Sequence, residues 1–374
     1  MLRRILKRLD YYLLVTVAII LAFGLVIIAT ATHQGQHPYA YVEKQLIWIA
    51  MGAVLLSAFL YLDYGMLARF ERHLYVFNLV MLASVLVIGH HVLGAQRWIQ
   101  LGPFQFQPSE FAKVLYIVTF ASFLSRRGDN LKRFRDLLLP LAYMLVPMAL
   151  IIKQPDLGTA LVFLAITFGM LFMAGARPLT IVAMIGGGLA AAVGGLWAHV
   201  RFGIPLPLLH SYQISRLTIF LNPWSDWHGA GYNIIQSQIA LGSGGLFGKG
   251  LFGGSQSQIS FLPVAYADFI FAVAGETLGF IGAMGLLILF FVVLYRSVRI
   301  ASLAKDQFGM LLASGVASML FFHVLVNVGA ASGVMPVTGI PLPFFSYGGS
   351  AVMSDLAALG LLLAVHVQRQ KIVF

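Results

Sequence analysis

Ten apolar stretches, each long enough to cross a lipid bilayer, follow one another along this chain with mostly short polar breaks between them. They fall at about residues 11–31, 45–62, 74–93, 109–125, 137–153, 157–174, 179–200, 268–295, 307–331 and 345–367. A helix crossing the hydrocarbon core needs about 20 mainly apolar residues. Lipid offers no hydrogen bonds, so each run must satisfy its backbone internally, and a helix does so. The expected fold is therefore an all-α polytopic membrane protein of about ten transmembrane helices. It forms a single transmembrane domain over residues 1–374, with one long loop, about 201–267, between spans seven and eight. Composition agrees, since only 10% of the residues are charged, against about 25% in soluble domains. The break at Lys153–Asp156 is the shortest division between spans.

The basic residues are distributed unequally between the two sets of loops. Seventeen of the 24 Lys and Arg fall on the N-terminal side: Arg3, Arg4, Lys7, Arg8, Arg69, Arg72, Arg126, Arg127, Lys132, Arg133, Arg135, Arg177, Arg296, Arg299, Lys305, Arg369 and Lys371. Lys44, Arg97, Lys113, Lys153, Arg201, Arg216 and Lys249 fall on the other. Cytoplasmic loops carry the excess of positive charge, so both termini are expected in the cytoplasm and the long loop outside. The net charge of +11 sits in short blocks beside spans, a pattern that serves membrane lipid headgroups rather than nucleic acid. The N-terminal basic block, apolar run and Ala29-Thr30-Ala31 resemble a signal peptide. The run from Tyr11 is too long for an ordinary signal core and reads as a span. The chain has no cysteine, so disulfides and thiolate metal sites are excluded.

Long loops are either disordered or functional. This one holds Trp224, Trp227, Tyr232 and the glycine-rich stretch Gly242 to Gly250. Such aromatics argue against a disordered linker, and short interfacial or re-entrant helices over the bundle are expected.

Ionisable residues in or beside spans are costly, and each is a functional candidate. Glu110 and Lys113 lie three residues apart on one helical face at the start of span four; they form either an intrahelical pair or part of a site. Arg97 adds a cation at the same level, and Lys153-Gln154-Pro155-Asp156 adds a cation and a carboxylate beside a proline. Together Arg97, Lys113 and Lys153 suggest an outward-facing basic pocket for an anionic headgroup. Asp268 opens span eight and suits either an N-cap or a catalytic role. Glu276 lies deeper, as a buried structural carboxylate or a second functional group. Pro341 to Ser350 combines prolines that force an extended approach with a small-residue run for close packing. The ten histidines show no metal-ligand spacing, and neither a GxxxxGK[ST] loop nor a GxSxG elbow is present.

At these residues the chain resembles the SEDS family (shape, elongation, division and sporulation), most closely its RodA-type members. The fragments are Arg97-Trp98-Ile99, Gln107 to Lys113, Lys153 to Thr159, Gly231-Tyr232, Gln236-Ser237, Gly248-Lys249-Gly250, Gln256-Ser257-Gln258, Phe261-Leu262-Pro263, Asp268 to Ala272 and Pro341 to Ser350. Each is weak alone, and their order along ten spans carries the resemblance over essentially the whole chain. The Gly-Lys-Gly and Gln-Ser-Gln pieces look like the elongation branch rather than the division branch.

The resemblance implies a peptidoglycan glycosyltransferase. It would polymerise lipid-linked disaccharide (lipid II) into glycan strands on the outer face of the bacterial cytoplasmic membrane during cell elongation. Its implied partners are a class B penicillin-binding protein, a transpeptidase, and other elongation-complex membrane proteins. The essential loop aspartate maps onto Asp268. Many members carry Glu-Ala-His or Glu-Arg-His before it, where this chain has Val264-Ala265-Tyr266, which leaves those flanking groups without a counterpart. Substrate-binding candidates are Arg97, Glu110, Lys113, Lys153, Asp156, Lys249, Gln258 and Ser346.

In such a reaction a general base takes the proton of the attacking sugar hydroxyl. The lipid pyrophosphate leaves without protonation, and fixed cations stabilise its charge. No protein metal site is legible, though a divalent cation, Mg or Mn, would suit the phosphates. Two rivals remain at this stage: a lipid II flippase, which needs a polar path through both leaflets, and an inert scaffold for the cell-wall complex.

Overall fold

A computed structural model describes residues 7–33, 39–92, 95–102, 104–128, 131–205, 211–226, 229–254 and 266–369. Among these residues there are thirteen α-helices and one small sheet. The N-terminal part comprises α1 (Tyr11–Thr32), α2 (Ala40–Tyr61), a short α3 (Tyr64–Arg69) and α4 (Glu71–Ile88). Strands β1 (His90–Val92), β2 (Ala95–Leu101) and β3 (Phe104–Phe106) follow, with α5 (Pro108–Ser125), α6 (Phe134–Lys153), α7 (Leu157–Met173) and α8 (Pro178–Phe202). The loop after α8 carries α9 (Ser211–Leu221), a 3₁₀ turn (Pro223–Asp226) and α10 (Ala230–Ser243). The chain then continues through α11 (Ile270–Ser302), α12 (Gln307–Ala331) and α13 (Gly349–Val367).

Each expected span coincides with a helix. Among the described residues eight helices are long and apolar enough to cross a membrane, and α7 is a slightly shorter apolar helix. The tenth is α5, of 18 residues, whose polar start holds Glu110 and Lys113. The chain is a multi-pass membrane protein.

Helix starts follow local chemistry. Asp10, Asp63, Asp156 and Asp306 cap α1, α3, α7 and α12 by accepting from Leu13 N at 3.1 Å, Gly65 N at 3.0 Å, Thr159 N at 3.2 Å and Gly309 N at 2.7 Å. Each cap satisfies a backbone donor that a helix start leaves open. At the centre lies α13, buried along its length from Ser350 to Val367. It packs on α2 and also against α5, α11 and α12. A Cβ at Gly360 would stand 2.6 Å from Leu56 O, so glycine sets how closely α13 and α2 approach. By contrast, α8 is peripheral, with Ile181 its one buried residue.

Three local features differ from the sequence reading. A three-stranded antiparallel sheet, β1-β2-β3, precedes α5 and carries Arg97 and Trp98 on β2. The tenth span starts at Gly349, not 345, because the extended Pro341 segment turns through Phe344 at φ 60° before the helix begins. The eighth starts at Ile270, so Asp268 lies in the preceding turn.

The glycine-rich stretch is a docking element. Gly279 breaks α11 at φ 67°, ψ −166°. Beside the break, Lys249 N donates to Glu276 O at 3.0 Å, Gly250 N to Thr277 O at 3.0 Å, and Phe280 N to Gly245 O at 2.8 Å. Backbone groups freed by the kink are thereby satisfied, as burial requires.

Candidate functional site

An open cavity of about 130 Å³ forms where β2, the start of α5, the α6–α7 break, α12, the turn before α11 and the segment before α13 converge. Its wall includes Arg97, Trp98, Glu110, Lys113, Asp156, Asp268, His323 and Tyr347.

Arg97 holds the α6–α7 break. Its guanidinium donates from Nε to Gln154 O at 3.4 Å and from Nη2 to Pro155 O, and Nη1 lies 3.8 Å from Asp156 Oδ1. Asp156 also accepts from Thr159 Oγ1 at 2.9 Å. One carboxylate thus starts α7 and anchors the arginine.

Glu110 and Lys113 pair at 2.7 Å with side chains 5% and 1% exposed. Ser354 Oγ reaches Glu110 Oε2 at 3.5 Å, and Lys113 Nζ lies 3.2 Å from His323 Nε2. Buried ion pairs seldom repay their desolvation, so this one is weak evidence for a stability role. The predicted intrahelical pair exists, and it lies in the cavity wall.

Asp268 is not a cap. The N-cap of α11 is Phe269, with no side-chain capping bond. The Asp268 backbone is held by Asn327 Nδ2, which donates to Asp268 O at 3.1 Å and to Ile340 O at 2.9 Å. Ser346 secures the same turn, since its Oγ donates to Ala267 O at 2.8 Å and accepts from Leu342 N at 2.9 Å. Asp268 as a residue is half-buried, and it lines the cavity. Loss of water pushes its carboxyl above the usual carboxylate range, while Arg216 and then Arg97 pull it back. A carboxylate so placed is a competent proton acceptor.

The sequence candidates separate into two groups. Arg97, Glu110, Lys113, Asp156 and Asp268 meet in one cavity, with Ser346 behind the Asp268 turn. Lys153 is exposed and lines no part of the cavity, because the break turns it away from Asp156. Lys249 also lies off the cavity wall, with Nζ 2.9 Å from the fully buried Glu276. Gln258 and Val264 lie outside the described residues.

Two participants escaped the sequence reading. Arg216 on α9 donates to Val337 O at 3.2 Å and faces Asp268 over Gly339. Its signal was a cation within the outer loop. His323 is fully buried in α12; a lone histidine in an apolar span was its signal. Tyr266 packs against Tyr41 and Tyr347 with ring centroids 4.7 and 5.5 Å away, and burial pushes its phenol up to about 12.

Among the described residues no three His, Asp or Glu side chains group to hold a metal ion. Glu110 Oε2 pairs with Lys113, and Asp156 with Arg97 and Thr159.

A helical bundle with Arg97, Lys113 and Asp268 in the wall of one cavity defines a multi-pass membrane protein with a charged cavity at one end. The family model FtsW/RodA/SpoVE, described as a cell cycle protein, matches residues 8–371. This chain belongs to that family, the one its sequence resembles. It is 37% identical over 364 residues to the probable peptidoglycan glycosyltransferase FtsW of Trichlorobacter lovleyi, covering 95% of this chain and 92% of that protein. It is 36% identical over 366 residues to the peptidoglycan glycosyltransferase MrdB of Escherichia coli K12, covering 97% and 94%. A solved structure described as structural coordination of polymerization and crosslinking by a peptidoglycan synthase complex superposes with a TM-score of 0.80. Its chain is 35% identical, with 96% of this chain and 98% of that chain covered.

Proposed function

We propose that this chain is a peptidoglycan glycosyltransferase that polymerises lipid II on the outer face of the bacterial cytoplasmic membrane, during cell elongation. The observation that carries the reading is Asp268: an aspartate freed from capping, in one cavity with Arg97 and Lys113, in a chain related to proteins named for that activity. Asp268 takes the proton from the acceptor sugar hydroxyl as that oxygen attacks the donor's anomeric carbon. The bond to the lipid pyrophosphate breaks, and its electrons leave with the phosphate oxygen. Arg97, Lys113 and Arg216 stabilise that charge. Direct displacement inverts the α-linked donor to a β-linkage. Burial supports the assignment of the base, because a raised carboxyl is a stronger base near neutral pH.

The rival flippase requires a polar path. Below Lys113, however, α5 continues through Tyr116, Ile117, Phe120 and Leu124, all fully buried in the apolar core. The charged cavity is confined to one end, which favours an enzyme. The far end of α5 meets Arg126 and Arg127, so the cavity and the basic loops lie at opposite ends of the bundle. The positive-inside rule then puts the cavity outside and both termini in the cytoplasm.

The partner that fits is a class B penicillin-binding protein, alongside other elongation-complex membrane proteins. Support comes from the superposed peptidoglycan synthase complex. The test is purified protein, with and without such a partner, given labelled lipid II. Glycan polymer is expected, and its absence under both conditions contradicts the reading.

A further inference from the structure

Gln45 lies near the start of α2, is 1% exposed, and has both ends of its carboxamide on one stretch of backbone. Its Nε2 donates to Ser346 O at 3.1 Å, and its Oε1 accepts from Gly348 N at 3.2 Å. The two bonds bracket Tyr347 along the chain. Burying an amide is costly unless it is bonded, and a side chain that both donates and accepts is what this pair of backbone groups needs. One turn further along α2, Trp48 closes the contact, since a Cβ on Gly349 would stand 2.5 Å from its ring. The same segment holds the approach to Asp268. Ser346 Oγ donates to Ala267 O at 2.8 Å, and Tyr347 N donates to Tyr266 O at 3.0 Å. Residues 346–348 are thus bonded both to Gln45 and to the two residues that lead into Asp268.

Asp268 takes no geometry from α11, because that helix begins at Ile270. The backbone of the preceding turn sets where the carboxylate stands, so whatever holds the turn places the base. We propose that Gln45 is a positioning residue for the reaction: acting through residues 346–348, it fixes the Tyr266–Ala267 backbone and so aims Asp268 at the acceptor hydroxyl. The proposal rests on the glycosyltransferase reading and deepens it, tying the base to a span remote from it in sequence. Gln45 does not itself line the cavity, so its influence passes through the segment it binds. Asn327 holds the Asp268 carbonyl from α12, and Gln45 holds the two preceding residues from α2. The turn is thereby fixed between two spans. Such precision matters, since a displacement of about 1 Å can cost ~10²-fold in rate.

The test is steady-state polymerisation of labelled lipid II by the full chain in detergent, at matched folded protein. Gln45→Met keeps the length of the side chain and removes both bonds. Its kcat is expected to fall by about 10–100-fold, with KM within about threefold of wild type, because the groups that meet the substrate are untouched. The same change is then made in Asp268→Asn, whose residual polymerisation is read in long incubations. With no base left to aim, Gln45→Met should lower that residual rate by less than about threefold, the non-additivity of groups that act as a unit. A merely structural loss would repeat in full. Where the residual rate is below detection, the split between kcat and KM decides. A wild-type kcat in Gln45→Met, a rise in KM with kcat unchanged, or an equal fall in the Asp268→Asn background overturns the proposal alone. If Gln45→Met fails to fold, Ser346→Ala breaks the next bond of the relay and is held to the same three readouts. A wild-type rate in Asp268→Asn overturns the base assignment and this proposal with it. Absence of polymer from the wild type overturns this proposal and the glycosyltransferase reading together.

Discussion

Asp268 and Arg216 converge on one point of backbone: a Cβ added to Gly339 would lie 3.7 Å from Asp268 Oδ2 and 3.7 Å from Arg216 Nη1. Gly339 has φ 78°, a conformation that glycine adopts at no steric cost. An arginine from the long loop thus stands across Gly339 from the carboxylate that precedes α11. Arg216 is among the influences lowering Asp268, against burial, which raises it.

That relationship gives a pH prediction with a definite sign. A general base works only when ionised, so polymerisation falls as pH drops through the Asp268 pKa. Arg216→Gln removes a lowering influence and raises that pKa further. The acid limb of the pH–rate profile should therefore move to higher pH in Arg216→Gln, measured as initial rate of glycan formation. An unmoved acid limb contradicts the coupling.

Lys113 and Glu110 separate charge pairing from function. Lys113→Met leaves Glu110 buried without its cation, and breaking a buried pair costs about 3–5 kcal/mol. Glu110→Gln added to Lys113→Met removes the stranded charge and should restore most of the thermal stability. Polymerisation should stay low in the double variant, because the cation is still missing. Recovery of activity along with stability would make the pair purely structural.

Gly279 tests the docking of the glycine-rich stretch. It combines φ 67° and ψ −166° with a Cβ position 2.3 Å from Gly248 N. Gly279→Ala should destabilise the protein by about 1–3 kcal/mol from backbone strain alone, more with the clash. The check is thermal unfolding in detergent beside Gly285→Ala, where a Cβ meets open space.

Much of this architecture was legible in the chain itself. Ten spans were visible because a bilayer demands local apolar length and nothing else. Glu110 and Lys113 were legible as a pair because helical spacing fixes which residues share a face. What composition could not convey was direction. Lys153 and Asp156 flank the same proline, yet one is exposed and the other buried in the cavity wall. Lys249 was a substrate-binding candidate, but its nitrogen pairs with Glu276, 27 residues away. Arg216 and His323 were missed for a related reason, since their roles depend on α9 and α12 meeting elements remote in sequence. The strands β1 to β3 were too short to show a period.

The topology is testable because the natural chain has no cysteine. Single cysteines at Arg127 and at Trp224, which is 67% exposed in the long loop, should react with an impermeant thiol reagent from opposite sides. In intact cells with the outer barrier opened, only the Trp224 position should label. Labelling of both from outside contradicts the proposed orientation.

The central claim is that Asp268 is the catalytic base, and an isosteric change addresses it directly. Because Asp268 makes no capping bond to α11, Asp268→Asn should leave folding and partner binding near wild type. An amide cannot accept the proton, and loss of general-base catalysis costs about 10²–10⁴-fold in rate. The measurement is glycan polymer formed from lipid II by wild type and Asp268→Asn at matched folded protein. A fall of that size with normal stability is the predicted result. Polymer at close to the wild-type rate would contradict the account and return Asp268 to the scaffold of the turn.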